Sequence, residues 1–337
     1  MDTVENMLTY TIPDSEKNAY QRLKETGNLP TPSEKARRIY QLANDRLTAI
    51  DDLAEVILSD PAISAALVKM ANSVYYRSLT AITSVDRAIV RLGFKMVRTI
   101  SLGLSLIARH RKGTCRAFDY EKFWSETLIQ AVVARDLAAI KCENDGINSK
   151  LDPDEAFTIG LFCQIGRLAL AAAVPHEYEQ LLMQTGPDQQ QLLLEREKES
   201  FGLNHNELAA DMMADWHLPP SYCLAVRFQK SPDCVRSLQP DSPEELIFDI
   251  LDQQDWYLHM LKFTGTMSAI LMQPQIRLSK AVLDHAVGQA GHLGLAPSRF
   301  AREYDSITNE WEEISAILEI KSTETLSWNQ MYRQACI

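Results

Sequence analysis

The sequence predicts an all-α protein. Helix start and stop signals recur along most of the chain, with apolar residues at the helical period between them. Strand signals hardly occur: Val132-Val133 and Ile270-Leu271 read locally as β, but they sit in windows too long and too poor in turn residues for strands. No repeat of roughly 20–50 residues is visible, so a solenoid is not expected.

The elements follow in chain order. Thr31-Pro32-Ser33-Glu34 reads as a capping box with Pro at the first helical position, so Thr31 caps a helix over 32–45 and Glu34 reaches back to it. Thr48-Ala49-Ile50-Asp51 opens a second helix. Asp60-Pro61 ends that helix and caps a third, in which Ile63, Leu67, Met70 and Ala71 fall at helical spacing. Thr83-Ser84-Val85-Asp86 opens a fourth, stopped near Gly93, where a residue free to take positive φ is wanted. Phe94 starts a fifth, apolar enough to lie in the core. The charged and polar stretch 111–121 follows the apolar run 100–108, and the lobe boundary is expected there.

Beyond it the pattern predicts helices over 121–142, 154–172, 175–184, 188–200, 204–216, 219–228, 242–261, 279–290 and 297–319, with a poorly defined stretch to 275. Asn144-Asp145-Gly146-Ile147-Asn148 reads as an exposed loop, and Gly186-Pro187 and Gln239-Pro240-Asp241 read as shorter turns. The expected organisation is an N-terminal extension (1–26), an N-terminal helical lobe (27–115), a second helical lobe (116–320) and a C-terminal tail (321–337). Trp328, Met331 and Tyr332 in the tail could dock on the body or on a partner.

At 337 residues the chain can bury a sizeable core. Hydrophobic residues at 46% and charged residues at 23% place it among ordinary globular proteins rather than fibrous or disordered ones. No window is expected to make a membrane span. The start Met1-Asp2-Thr3-Val4-Glu5-Asn6 lacks the basic and apolar runs of a secretory signal, so a soluble, cytoplasmic protein is expected. The six cysteines (Cys115, Cys142, Cys163, Cys223, Cys234 and Cys336) never approach a Cys-x-x-Cys spacing, which argues for reduced thiols rather than disulfides or a zinc site. His285 and His292 lie about 10 Å apart along a helix axis and are not expected to share an ion. The net charge of −11 hides an asymmetry: residues 27–115 carry +6 and residues 116–337 carry −15. Two lobes of opposite sign attract each other, and a basic face could also meet an anionic partner.

Several segments carry a family resemblance. Asn28-Leu29-Pro30-Thr31-Pro32, Leu58-Ser59-Asp60-Pro61-Ala62-Ile63, Lys69-Met70-Ala71-Asn72-Ser73-Val74-Tyr75-Tyr76, and Thr83-Ser84-Val85-Asp86-Arg87-Ala88-Ile89 leading into Arg91-Leu92-Gly93 resemble the opening of the HDOD domain, an HD-related output domain of bacterial signalling proteins. Phe123-Trp124, Gly160-Leu161 with Ile165-Gly166-Arg167, Glu199-Ser200-Phe201-Gly202 with His205, and Asp215-Trp216-His217-Leu218-Pro219 extend the likeness over residues 25–235. The resemblance implies an N-terminal helical lobe packed on a degenerate HD-like helical domain, regulatory rather than catalytic. It also suggests a stand-alone member of the family.

The stretch from Gly160 to Arg167 resembles an HD metal-hydrolase motif without its ligands. The HD family's adjacent His-Asp pair falls on Cys163-Gln164; its first ligand position falls on Glu126, and the later His-rich segment falls on Phe228 and Gln229. His205 alone keeps a ligand type. Metal-assisted phosphoester hydrolysis needs several converging His and Asp ligands to polarise oxygen and acidify water. No metal and no cofactor are therefore expected, and Glu126, Cys163, Gln164, His205, Phe228 and Gln229 become the candidate lining of a vestigial pocket. A three-ligand site of Glu126, Cys163 and His205 is the enzymatic alternative, a residual or redesigned phosphohydrolase. No nucleophile elbow, phosphate loop or dinucleotide fingerprint is present.

Arg87, Arg91, Lys95 and Arg98 recur at spacings of four, four and three, and form a candidate surface for an anionic ligand or partner. With Gly93 between them, 86–98 superficially resembles a helix-turn-helix, so DNA-linked transcriptional control is a further alternative. The apolar second helix and the acidic total charge disfavour nucleic acid. The expected function is a noncatalytic signalling module that contacts an unknown signalling protein or senses a small ligand, with a nucleotide-type ligand among the candidates.

Overall fold

The computed structural model describes residues 12–76, 79–146, 149–186, 189–230, 244–272, 278–322 and 325–335. Among them every regular element is a helix. The N-terminal set comprises α1 (Asp14–Glu25), α2 (Glu34–Asn44), α3 (Ile50–Leu58), α4 (Pro61–Ala71) and α5 (Val85–Arg109). The second set comprises α6 (Tyr120–Asp145), α7 (Pro153–Phe162), α8 (Ile165–Ala173), α9 (Pro175–Gln184), α10 (Gln190–Phe201), α11 (His205–Asp215), α12 (Pro220–Arg227), α13 (Glu244–Leu271), α14 (Lys280–His292), α15 (Pro297–Leu318) and α16 (Trp328–Ala335).

Local chemistry accounts for most of the boundaries. Asp60 accepts from the Ala62 and Ile63 amides, and Pro61 stands where no intrahelical N–H is needed. Gly93 takes φ +76 and breaks α5 into an amphipathic half, which buries Val85, Ala88, Ile89 and Leu92, and a half buried nearly throughout. The cap expected at Thr31 is displaced by two residues: the Ser33 side chain accepts from the Ala36 amide, while the Thr31 hydroxyl turns back to the Leu29 carbonyl. Ser33's own amide is held by the Ser105 hydroxyl at 2.6 Å, which fixes where α2 starts. Asn144 and Asp145, expected in a loop, continue α6 instead. The Gln239-Pro240-Asp241 turn, Pro187, Ile147, Asn148, Cys234 and Cys336 lie outside the described residues.

The expected helix over 154–172 is two helices, α7 and α8, broken at Cys163-Gln164. The expected 242–261 helix, from Glu244 on, and the undefined stretch after it, as far as Leu271, are the single α13, while 242–243 and 273–275 lie outside the described residues. No helix was anticipated in the N-terminal extension, yet α1 buries Ala19 and Leu23 and ties itself to α11 and α12. Glu16 pairs with Arg227, and both Tyr20 and Lys24 reach Asp215. The run Pro153–Ala173 meets the length and hydropathy of a membrane span, contrary to expectation, but 83% of it is buried inside the fold. It is apolar because it is central. α16 docks on the body: the Trp328 ring stacks on Phe300 and Tyr304 at 4.6 and 5.2 Å.

One hydrophobic cluster runs through both sets of helices. Polar groups stitch the seam. Lys95 reaches Asp152 and Glu155 at 2.8 and 2.6 Å, and the buried Thr99 and Thr158 hydroxyls meet at 2.6 Å. Arg135 is fully buried, stacks on Tyr75 at 3.5 Å and pairs with Asp136 and Glu310, so it joins the loop after α4 to α6 and α15.

Candidate functional site

Two glycines of the motif-like stretch set the frame. A Cβ on Gly160 would lie 2.6 Å from the Gln130 carbonyl oxygen, so α7 lies against α6 backbone to backbone. A Cβ on Gly166 would lie 1.9 Å from the His205 carbonyl oxygen, so α8 presses equally close on α11. The two contacts point to different helices, and the break at Cys163-Gln164 lets one chain segment make both. This close approach brings side chains of α6, α8 and α11 around one cavity.

That cavity has a volume of about 280 Å³. Glu126, Gln164, His205 and Gln229 line it, together with Lys122, Gln130 and Arg167. Lys122, Glu126 and Gln130 sit at i, i+4 and i+8 on α6 and therefore share a face. Two of the expected residues do not reach the cavity surface. Cys163 is buried beneath it, and Phe228 packs into the interior.

An amide network occupies the floor. The Cys163 thiol donates to Gln130 Oε1 at 3.0 Å, and Gln229 Nε2 donates to the Cys163 carbonyl at 3.1 Å and to Asn206 Oδ1 at 2.8 Å. Gln164 Nε2 in turn donates to Gln229 Oε1 at 3.4 Å. Burial pushes the Cys163 thiol up to about 12, so it stays protonated and cannot serve as a thiolate ligand at neutral pH. His205 is held from behind: its Nδ1 lies 2.6 Å from Glu197 Oε2, which also accepts from its backbone amide at 2.9 Å. The Tyr178 hydroxyl donates to the other Glu197 oxygen at 3.1 Å, completing a buried, satisfied carboxylate.

Glu126 faces cations rather than other ligands. Lys122 Nζ and Arg167 Nη1 stand 3.7 and 3.6 Å from its two oxygens. Among the described residues no group of three or more His, Cys, Asp or Glu side chains converges as a metal would require. The residues present do not fit the metal of an HD hydrolase: one carboxylate is flanked by two cations, the cysteine is a neutral thiol donating to an amide, Gln164 and Gln229 are amides, and His205 is a single side chain of a ligand type whose Nδ1 is already held by Glu197.

Gln130, Asn206, Arg167 and Lys122 belong to the site although they were not among the expected residues. Helical spacing from Glu126 identifies Lys122 and Gln130, and adjacency to His205 identifies Asn206. The role of Arg167 follows only from the turn at Gln164.

The basic stripe is divided by the fold. Arg87 is exposed, and Arg91 Nε donates to the Tyr76 carbonyl at 2.6 Å. Lys95 is spent on Asp152 and Glu155, and Arg98 is buried, bonded to Asn44 and stacked on Tyr40 at 5.5 Å. The half of α5 after Gly93 is buried nearly throughout, so it presents no face to a DNA groove.

The HDOD domain profile matches residues 29–232. The chain belongs to the HDOD domain family. HDOD proteins are HD-related, and the solved structures it resembles carry that fold. A Geobacter sulfurreducens HDOD domain protein of unknown function is 19% identical, with 90% of this chain and 98% of that one covered and a TM-score of 0.62. A Shewanella amazonensis protein provisionally described as a phosphohydrolase is 20% identical over 89% of this chain and 97% of that one, with a TM-score of 0.64. A provisionally described signal transduction protein of Marinobacter aquaeolei is 23% identical over 91% of this chain and 65% of that one, with a TM-score of 0.59. No curated protein matches the chain. The HDOD match ends before α13, which supplies Leu261, Gly265 and Ser268 to the cavity wall.

Proposed function

We propose that this HDOD chain is a noncatalytic signal-transduction module in which a small ligand, held in the cavity, biases the packing of the surrounding helices and thereby a partner protein. The observation that carries this reading is the amide network of Gln130, Gln164, Asn206 and Gln229 around the Cys163 thiol. Neutral amides orient a ligand through hydrogen bonds, but they neither hold a divalent cation strongly nor acidify water. The cavity walls come from separate helices, α6, α8, α9, α10, α11 and α13, so occupancy acts on their relative positions. A signalling protein is the partner class, and the exposed Arg87 near the exposed Val90 is the part of the basic stripe that faces outward for it.

The test is hydrolysis of p-nitrophenyl phosphate and bis-p-nitrophenyl phosphate with added Mn²⁺, Mg²⁺ or Zn²⁺. The wild-type protein and a Glu126→Ala/His205→Ala variant are expected to show the same background release. Metal-dependent turnover that the variant loses would establish the residual phosphohydrolase instead.

A further inference from the structure

The charges around the cavity do not balance. Three cationic side chains line it, Lys122, Arg167 and Lys230, against two carboxylates, Asp119 and Glu126. Asp119 is engaged as the cap of α6, accepting from the Lys122 amide at 2.9 Å, and its charge offsets that helix end. Glu126 stands beyond hydrogen-bond distance from both Lys122 and Arg167, at 3.7 and 3.6 Å. The buried Nε of Arg167 has no hydrogen-bond partner. At the rim, desolvation and the neighbouring Lys262 charge lower the Lys230 ammonium from its ordinary value, the mark of a cation short of counter-charge.

The start of α8 adds to this. Gln164 is its N-cap and makes no side-chain capping bond, and both Gln164 and Arg167 line the cavity. The start of α8 therefore borders the cavity where the Arg167 guanidinium has a spare donor. The same cavity has an apolar lining from Phe118, Phe123, Leu193, Leu194 and Leu261, with the Phe118 ring 5.9 Å from the Arg167 guanidinium. The volume of about 280 Å³ falls just below the usual range of ligand pockets, roughly 300–1,000 Å³, and suits a small ligand.

Building on the ligand-sensing reading above, we infer that the ligand is a small organic dianion, with its doubly charged oxyanion at the α8 N-terminus beside Arg167 and an apolar or planar body against Phe118 and Phe123. The three cations outnumber the two carboxylates, and with Asp119 partly offset by the α6 helix end the surplus lies between one and two positive charges, which favours a dianion over a monoanion. The arginine fork suits two oxygens of one planar or tetrahedral group. A phosphate monoester and an aromatic dicarboxylate share this chemistry.

Isothermal titration of the full chain distinguishes them, with phenyl phosphate and AMP as phosphate probes, phthalate as the dicarboxylate, and benzoate as the monoanion of similar body. At least one dianion is expected to bind about tenfold or more tightly than benzoate, and to weaken as salt is raised. Arg167→Lys should weaken the dianion about tenfold, because the planar fork is lost while the charge stays. Lys230→Ser, at the exposed rim where the fold is not at stake, should weaken it about threefold and reduce the salt dependence. Benzoate binding as tightly as every dianion, dianion binding unchanged in both variants, or no dianion binding at millimolar concentration would each overturn the inference. Release of phenol from bound phenyl phosphate would leave the dianion site standing and refute the noncatalytic reading. Absence of both binding and turnover refutes only the site.

Discussion

Replacing Gly166 by alanine tests the claim that the motif-like glycine is kept for helix approach. The new methyl carbon would lie 1.9 Å from the His205 carbonyl oxygen and 2.9 Å from the Ala209 amide nitrogen, where ordinary contact begins at about 3.4 Å. Relief requires α8 and α11 to part by about 1.5 Å. The obstructing atoms are backbone, so no rotamer change helps. Overpacking of this kind costs roughly 1–3 kcal/mol, more where neither side yields, and alanine's helix propensity returns at most about 1 kcal/mol. A net loss of about 2 kcal/mol is expected, read as a lower urea midpoint by circular dichroism. Gly288→Ala is the matched control: it is exposed on α14 with nothing within 4 Å of its Cβ, and should gain about 0.5–1 kcal/mol. A Gly166→Ala midpoint at or above wild type, with the control behaving as stated, would refute the close-approach account.

Other consequences are equally direct. Arg135→Met leaves Asp136 and Glu310 buried without their counter-ion and should cost about 3–5 kcal/mol in urea unfolding, whereas adding Glu310→Leu to it should recover part of the loss. Burial, helped by Asp152, pushes Asp154 up from 3.8 to about 6. A carboxyl that holds its proton more tightly when folded stabilises the fold below about pH 4 and loses that contribution as pH rises through 6. The Asp154→Asn variant should therefore gain on wild type, by up to about 2 kcal/mol, between pH 4 and pH 7 in paired urea titrations; a constant difference across that range would count against it. Trp328→Ala removes a ring packed on Phe300 and Tyr304, so limited proteolysis should cut first at 319–335 and faster than in wild type.

Local signals made most of the fold legible. Asp60-Pro61 caps a helix because an aspartate oxygen meets two amides ahead of a proline, and nothing distant alters that. Gly93 breaks α5 because only the backbone is involved. The failures are tertiary. Thr31 lost its cap to Ser33 because Ser105, on another helix, claims the Ser33 amide. The break at Cys163-Gln164 carries no proline and no glycine at the turn; it exists because Gly160 and Gly166 must touch two different helices. The site divides in the same way. Glu126, Gln164, His205 and Gln229 were identifiable by resemblance, and all four line the cavity. Phe228 was placed by that same register, but at the end of α12 it is buried and does not line the cavity. The basic stripe looked continuous in sequence because spacing cannot show that Asp152 and Glu155 meet Lys95, or that Asn44 and Tyr40 take Arg98.

The segment recognisable by descent, residues 29–232, is smaller than the body that folds around it. α1 precedes it and gives Glu16 to the buried Arg227, while Ala19 lies under Gly202. α13 follows it and forms one wall of the ligand chamber. A gene fragment cut at those borders would encode an arginine stripped of one of its two acids and a chamber open on one side. Any exchange of this domain between genes that preserved its working state would have to move the flanking helices with it, so its heritable unit is set by packing rather than by sequence likeness.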